Sequence, residues 1–88
     1  MVHWSRRPGV LERRVLEGVL LLPVRRDDIA LLAGTGRELW DLLSETRSTC
    51  ELTDLLECRY AGDVNTIRAD VEAALSELER DGLVGRET

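Results

Sequence analysis

The sequence predicts an α+β fold: a three-stranded antiparallel sheet followed by three helices. Up to Ala33 the apolar residues come in short runs parted by turn residues, which is the pattern of strands. From Gly34 onward they recur every three or four residues, which is the pattern of helices. Two Ser/Thr-x-x-Glu signatures and two later glycines cut this second half into three segments.

Residues 1–7, MVHWSRR, read as a loose lead-in, and Trp4 is open between solvent and the sheet. Pro8 precedes an imperfectly alternating stretch, PGVLERRVLEG, whose Val10 and Val15 suit an edge strand that begins after a proline. Gly18 marks a turn. VLLLPV is then a more continuously apolar strand, expected at the centre of the sheet, with Pro23 at its end or at a bulge. Arg25-Arg26-Asp27-Asp28 form a polar turn into the third strand, DIALLA. There Ile29 and Leu31 share one face, and Ala30 and Leu32 the other. Three short adjacent strands most simply pair as an antiparallel meander.

Thr35-Gly36-Arg37-Glu38 has the form of a capping box, and Leu39, Trp40, Leu42 and Leu43 continue from it, predicting a helix over about residues 36–45. Ser48-Thr49-Cys50-Glu51 is a second capping box, followed by Leu52, Leu55, Leu56 and Tyr60, with Gly62 as the stop. Asp63 opens the third helix. Its Val64, Ile67, Val71, Ala74, Leu75 and Leu78 fall on one stripe, Gly82 ends it, and Leu83-Val84 fold back onto the core. No repeat or linker interrupts the chain, so residues 1–88 read as one domain with its core over about 8–84.

Composition narrows the function. The 88 residues are 43% hydrophobic, enough for one small core, and that core has to be aliphatic because there is no Phe, one Tyr and two Trp. A net charge of −5 argues against a nucleic-acid partner. The third helix sets Arg68 and Arg80 against Asp70, Glu72, Glu77, Glu79 and Asp81, and so makes a poor phosphate reader. No apolar run approaches a membrane span. Arg6-Arg7 resembles the start of an export signal, but Glu12, Arg13 and Arg14 break the hydrophobic region that should follow, so the expected location is the cytoplasm.

Catalytic chemistry is not legible. His3, the one histidine, falls in the lead-in, where nothing would position it as a base or ligand. Cys50 and Cys58 lie on one predicted helix, roughly 12 Å apart along it, too far for a disulfide, and two thiols alone do not complete a tetrahedral metal site. GTG at 34–36 begins like a dinucleotide fingerprint, but Leu39 stands where the third glycine is required and no βαβ unit surrounds it. Asp63, Asp70, Glu77 and Asp81 fall within roughly 40° on the third helix. They form either a solvated face or an acidic rim for a basic ligand. The sequence predicts no enzyme, no metal and no cofactor.

One feature does suggest a function. The third strand of a meander has one neighbour, and its other side offers unpaired N–H and C=O groups that proteins usually protect with charge, proline or a bulge. Between Ile29 and Ala33 there is neither charge nor proline. Such an edge accepts an extended peptide as a further strand. It also fits self-pairing of two copies across a two-fold axis, a homodimer.

A strand meander with the apolar GVLLLPV, then ALLAGTGRELWDLL, RSTCELTDLLECRY and RADVEAALSELERDGLV, resembles the pyrroloquinoline-quinone synthesis protein D family. That family is also known as the recognition element of ribosomally made, modified peptides. The match runs from Pro8 to about Val84, and the pairing of Asp70-Val71 with the closing Gly82-Leu83-Val84 is particularly similar. It departs where relatives often lead into the first helix through Leu-Asn, since LLAGTG stands there instead. The resemblance implies a small, winged-helix-like, non-catalytic domain. It would capture the leader of a precursor peptide as a strand beside the third strand, against the third helix. A modifying enzyme (a leader protease, a cyclase or a radical enzyme) then acts on the tethered peptide, and lasso peptide clusters are one setting.

On that reading the peptide-binding residues are Asp28, Ile29, Ala30, Leu31, Leu32 and Ala33 of the strand, with Asp70, Val71, Ala74, Leu75 and Leu78 of the helix, where Ala74 leaves room for a bulky anchor. Val71, Leu75 and Leu78 equally suit plain core. Ala30 and Leu32 equally suit coverage by the chain's own start, and Asp70 equally suits solvation of the helix. The rivals are a docking or dimerisation module and, more remotely, a DNA-binding winged helix.

Overall fold

The structure is a computed structural model that describes residues 2–23 and 29–87. The predicted meander is present. Leu11–Val15 (β2), Gly18–Leu22 (β3) and Ala30–Leu32 (β4) pair antiparallel in the order β2-β3-β4. Leu21 faces Glu12 and Ala30, and Val19 faces Arg14 and Leu32. Val19 and Leu21 are fully buried, so β3 is the central strand and turns alternate residues into the core. Pro23 follows its last residue, where a missing N–H costs no ladder bond. The hairpin is tight at Gly18: a Cβ there would overlap the Leu32 carbonyl, so only glycine lets β4 close against β3.

The lead-in is not loose. His3–Arg6 forms a strand (β1) between two others, Arg47–Ser48 (β5) and Val84–Glu87 (β6), in a second three-stranded antiparallel sheet of order β5-β1-β6. The predicted three-stranded sheet and three helices are thus both present, and among the described residues a second three-stranded sheet that the sequence did not announce joins them, with β1 ahead of the meander and β5 and β6 among and after the helices. Trp4 supplies the reason. It is 5% exposed, its indole N–H donates to Thr49 Oγ1 at 2.9 Å, and the Arg86 guanidinium lies 5.0 Å from its ring centroid. Burying a Trp this completely is enough to hold a four-residue strand.

The first helix (α1) spans Gly34–Leu42, two residues earlier than expected and shorter at its end. Its N-cap is Ala33, with no side-chain cap, so the predicted Thr35–Glu38 capping box does not form. Glu38 instead lies beside Arg59 and Tyr60. The second helix (α2), Thr49–Glu57, does carry its capping box: Glu51 N–H donates to Ser48 Oγ, and Ser48 N–H donates to the Glu51 carboxylate, each at 3.1 Å. It stops at Cys58, ahead of the predicted Gly62, with Tyr60 N–H donating back to the Leu56 carbonyl. The third helix (α3), Val64–Arg80, begins at an Asp63 cap. It ends in a Schellman turn, where Leu83 N–H donates to the Leu78 carbonyl and Gly82, at φ 78°, takes the left-handed position.

One core joins these parts. Leu39, Trp40, Leu52, Leu56, Val71, Leu75, Leu83 and Val84 are buried in it with Trp4, Val19 and Leu21. A polar network ties the two sheets together over α1. Arg6 of β1 stacks 4.2 Å from the Trp40 ring centroid and donates to the Trp40 carbonyl, Trp40 Nε1 donates to Glu12 of β2 at 2.6 Å, and Arg14 of β2 pairs with Asp41. Cys50 and Cys58 are both free and exposed.

Candidate functional site

Among the described residues four short strands stand at the edges of their sheets, and their sequences differ in how the outer side is protected; β5 carries Arg47. β2 carries Glu12, Arg13 and Arg14 within its five residues, and β6 carries Arg86 and Glu87. β4, Ala-Leu-Leu, carries no charge. Among the described residues no strand pairs with β4 on the side away from β3. The chain's own start, which could have covered this edge, is committed to the other sheet through four register pairs with β6 and two with β5. The edge is open and lacks the usual deterrents.

Its side chains alternate as the sequence implied. Ile29 and Leu31 are 64% and 54% exposed, whereas Ala30 and Leu32 are half-buried and pack against the core. Ala33 is exposed at the strand's end, and Asp28 lies outside the described residues. On α3, Val71, Leu75 and Leu78 are core residues with at most 3% exposure, Ala74 is half-buried at the core margin, and Asp70 is exposed.

The strand runs straight into α1 at Gly34, and Thr35 lines a concavity of about 230 Å³ between the head of α1, the end of α2 and the first turns of α3. Leu56, Ile67 and Val71 give it an apolar wall, while Tyr60, Thr66 and Asp70 add polar groups. The hollow thus brings Asp70 and Val71 together with Tyr60, which the sequence placed on the apolar stripe of the second helix, and with Asp63, which it placed at the start of the third. Their signal was faint: the hollow exists because α2 stops at Glu57 and leaves residues 58–63 as a loop, which a glycine at 62 does not reveal. Glu38, which takes a hydrogen bond from Tyr60, holds that phenol above its usual pKa, so the ring at the hollow carries a neutral hydroxyl at ordinary pH. Among the described residues no group of three His, Cys, Asp or Glu could hold a metal ion.

The family model of coenzyme PQQ synthesis protein D (PqqD) matches residues 18–84, well over half of the chain. The chain belongs to the PqqD family. Two solved structures share the fold of this PqqD-family protein. TbiB1 in complex with the TbiA(beta) leader peptide superposes with a TM-score of 0.79 at 24% identity, over 90% of this chain and 93% of that one. Lasso peptide synthetase B1 complexed with the leader peptide gives 0.78 at 20% identity, over 93% and 96%. No curated protein matches the sequence. At these identities the likeness is one of fold.

Proposed function

We propose that this PqqD-family protein is a non-catalytic recognition element. It captures the leader segment of a ribosomally made precursor peptide as a strand added to β4, and presents the tethered precursor to a modifying enzyme such as a leader protease, cyclase or radical enzyme. The observation that carries this reading is the uncharged, unpaired edge of β4 leading into an apolar hollow beside α3. That both fold neighbours are complexes with a leader peptide supports it. The lasso peptide setting of the second is the one we favour for this chain. The place of action is the cytoplasm, where the precursor is made. Among the described residues no helix is long and apolar enough to cross a membrane.

In this reading Ile29 to Ala33 supply the main-chain partners, and Ala30 and Leu32 form the floor. Asp70 and Ala74 meet the peptide from α3, with Val71, Leu75 and Leu78 as the core beneath them. Magnitudes show which contacts decide affinity. About four main-chain hydrogen bonds at roughly 1 kcal/mol each are largely offset by roughly 2–5 kcal/mol for ordering the peptide. Net affinity then rests on two or three buried anchor side chains at roughly 1.5–3 kcal/mol each. The hollow holds one of them.

The test is a fluorescence-anisotropy titration with a labelled leader peptide from the precursor gene beside this one. Saturable binding is expected, with the largest amide shifts at residues 29–33. A Leu31→Pro variant that keeps the wild-type circular-dichroism spectrum should bind at least tenfold more weakly. Unaltered affinity in that folded variant rules out strand addition.

A further inference from the structure

The sheet has a second exposed surface, on the side of β2-β3-β4 that faces away from the core. Register places Leu11 opposite Leu22, and Arg13, Leu20 and Leu31 in one row across the three strands. Leu11, Ile29 and Leu31 are 66%, 64% and 54% exposed, Leu20 and Leu22 are half-buried, and a shallow depression of about 160 Å³ lies among Leu11, Arg13, Leu20, Leu22 and Ile29. Five aliphatic side chains on one sheet face form a contiguous apolar patch of the kind that marks an interaction surface.

The charge on this face says what should cover it. On the inner side of β2 both charges are paired: Glu12 with Trp40 and Arg6, Arg14 with Glu12 and Asp41. Arg13, on the outer side, makes no hydrogen bond or ion pair with any described residue. A guanidinium buried under a partner needs a carboxylate opposite it. A second copy of this chain would bring the same apolar surface with another Arg13, placing like charges together across a two-fold axis. A different protein with an apolar surface and a carboxylate satisfies both halves of the patch.

Position supplies the rest. A peptide strand added to β4 extends this same face by one strand, and its alternate side chains lie beside Ile29 and Leu31. We infer that the outer face of β2-β3-β4 is the docking surface for the enzyme that acts on the captured peptide, through an apolar patch bearing an acidic residue that pairs with Arg13. This inference rests on the peptide-capture reading. The bound leader then forms part of the docking surface, so leader and enzyme each raise the other's affinity by one common factor.

The probe is the purified processing enzyme encoded beside the precursor gene, titrated against this protein with and without the leader peptide. Wild-type protein should bind it, and more tightly when loaded with leader. Arg13→Glu and Leu11→Lys lie on β2, away from the β4 edge. Each should weaken enzyme binding at least tenfold while leader affinity stays within twofold. Unchanged enzyme affinity in both variants, with leader binding intact, overturns the docking face alone. So does a wild-type protein that sediments as a concentration-dependent dimer and becomes monomeric on Arg13→Glu, because a second copy is then the occupant. Failure of the wild-type protein to take up leader shows in the leader titration itself and overturns the capture reading instead.

Discussion

Single residues shape the open edge from a distance. Gly18 sits at the Leu32 end of the β3–β4 ladder, and the Leu32 carbonyl occupies the space a methyl group would need. Gly18→Ala should therefore displace β4 rather than merely crowd a loop. The expected loss, within the roughly 1–3 kcal/mol typical of overpacking, is read by urea denaturation, with amide shifts concentrated at residues 29–33. Asp41 gives a pH signature. The hydrogen bond from Arg14 holds its carboxyl below the usual range, against the opposing effect of burial. A depressed carboxyl stabilises the fold fully above its unfolded pKa, near about 4, and the contribution fades as pH falls through the lower folded value. Asp41→Asn should lower the melting temperature at pH 7, and the gap from wild type should close as the pH is taken down toward about 2. The gap will be small, because both side chains are more than a third exposed and such pairs contribute under about 1 kcal/mol.

Elements differ in how far the sequence announces them, and the reason is range. α2 and α3 are specified locally: Ser48 and Glu51 cap each other, and Gly82 closes a Schellman turn on Leu78. Ser48→Ala should cost about 1 kcal/mol in denaturant melts and leave leader affinity unchanged, since the cap lies on the side of the second sheet. β1, β5 and β6 are four, two and four residues long, and β1 finds its partners at residues 47–48 and 84–87. Strands so short have no period to read, and pairing across eighty residues leaves no local trace. Thr35-x-x-Glu38 shows the opposite failure. The capping pattern is present, but Glu38 is drawn to Arg59 and Tyr60, so tertiary contact overrides the local signal. The β4 edge was legible because it depends on what is missing from five consecutive residues. The hollow beside it was not, because it depends on where α2 stops.

At the scale of the whole molecule, the position of β1 explains why β4 is free. The N-terminal segment is extended and long enough to have lain along β4. Trp4 draws it to the opposite sheet, where its ring is buried and its N–H is satisfied by Thr49. Stability and vacancy thus have one cause, and a single substitution separates them. Trp4→Ala should cost about 3–5 kcal/mol, as large aromatic truncations do, a substantial part of the roughly 5–15 kcal/mol available to a small domain. Urea denaturation measures that loss. If β1 belongs only to its own sheet, leader affinity of the folded fraction at low temperature should match the wild type. If β1 instead exchanged onto β4 in the free protein, it would compete with the leader, and freeing it from its Trp4 anchor would alter that competition. A leader affinity that changes severalfold in Trp4→Ala, with the fold intact by near-ultraviolet circular dichroism, would therefore show that the edge is guarded from within. An unchanged affinity leaves β4 as a strand whose second neighbour has to come from another molecule.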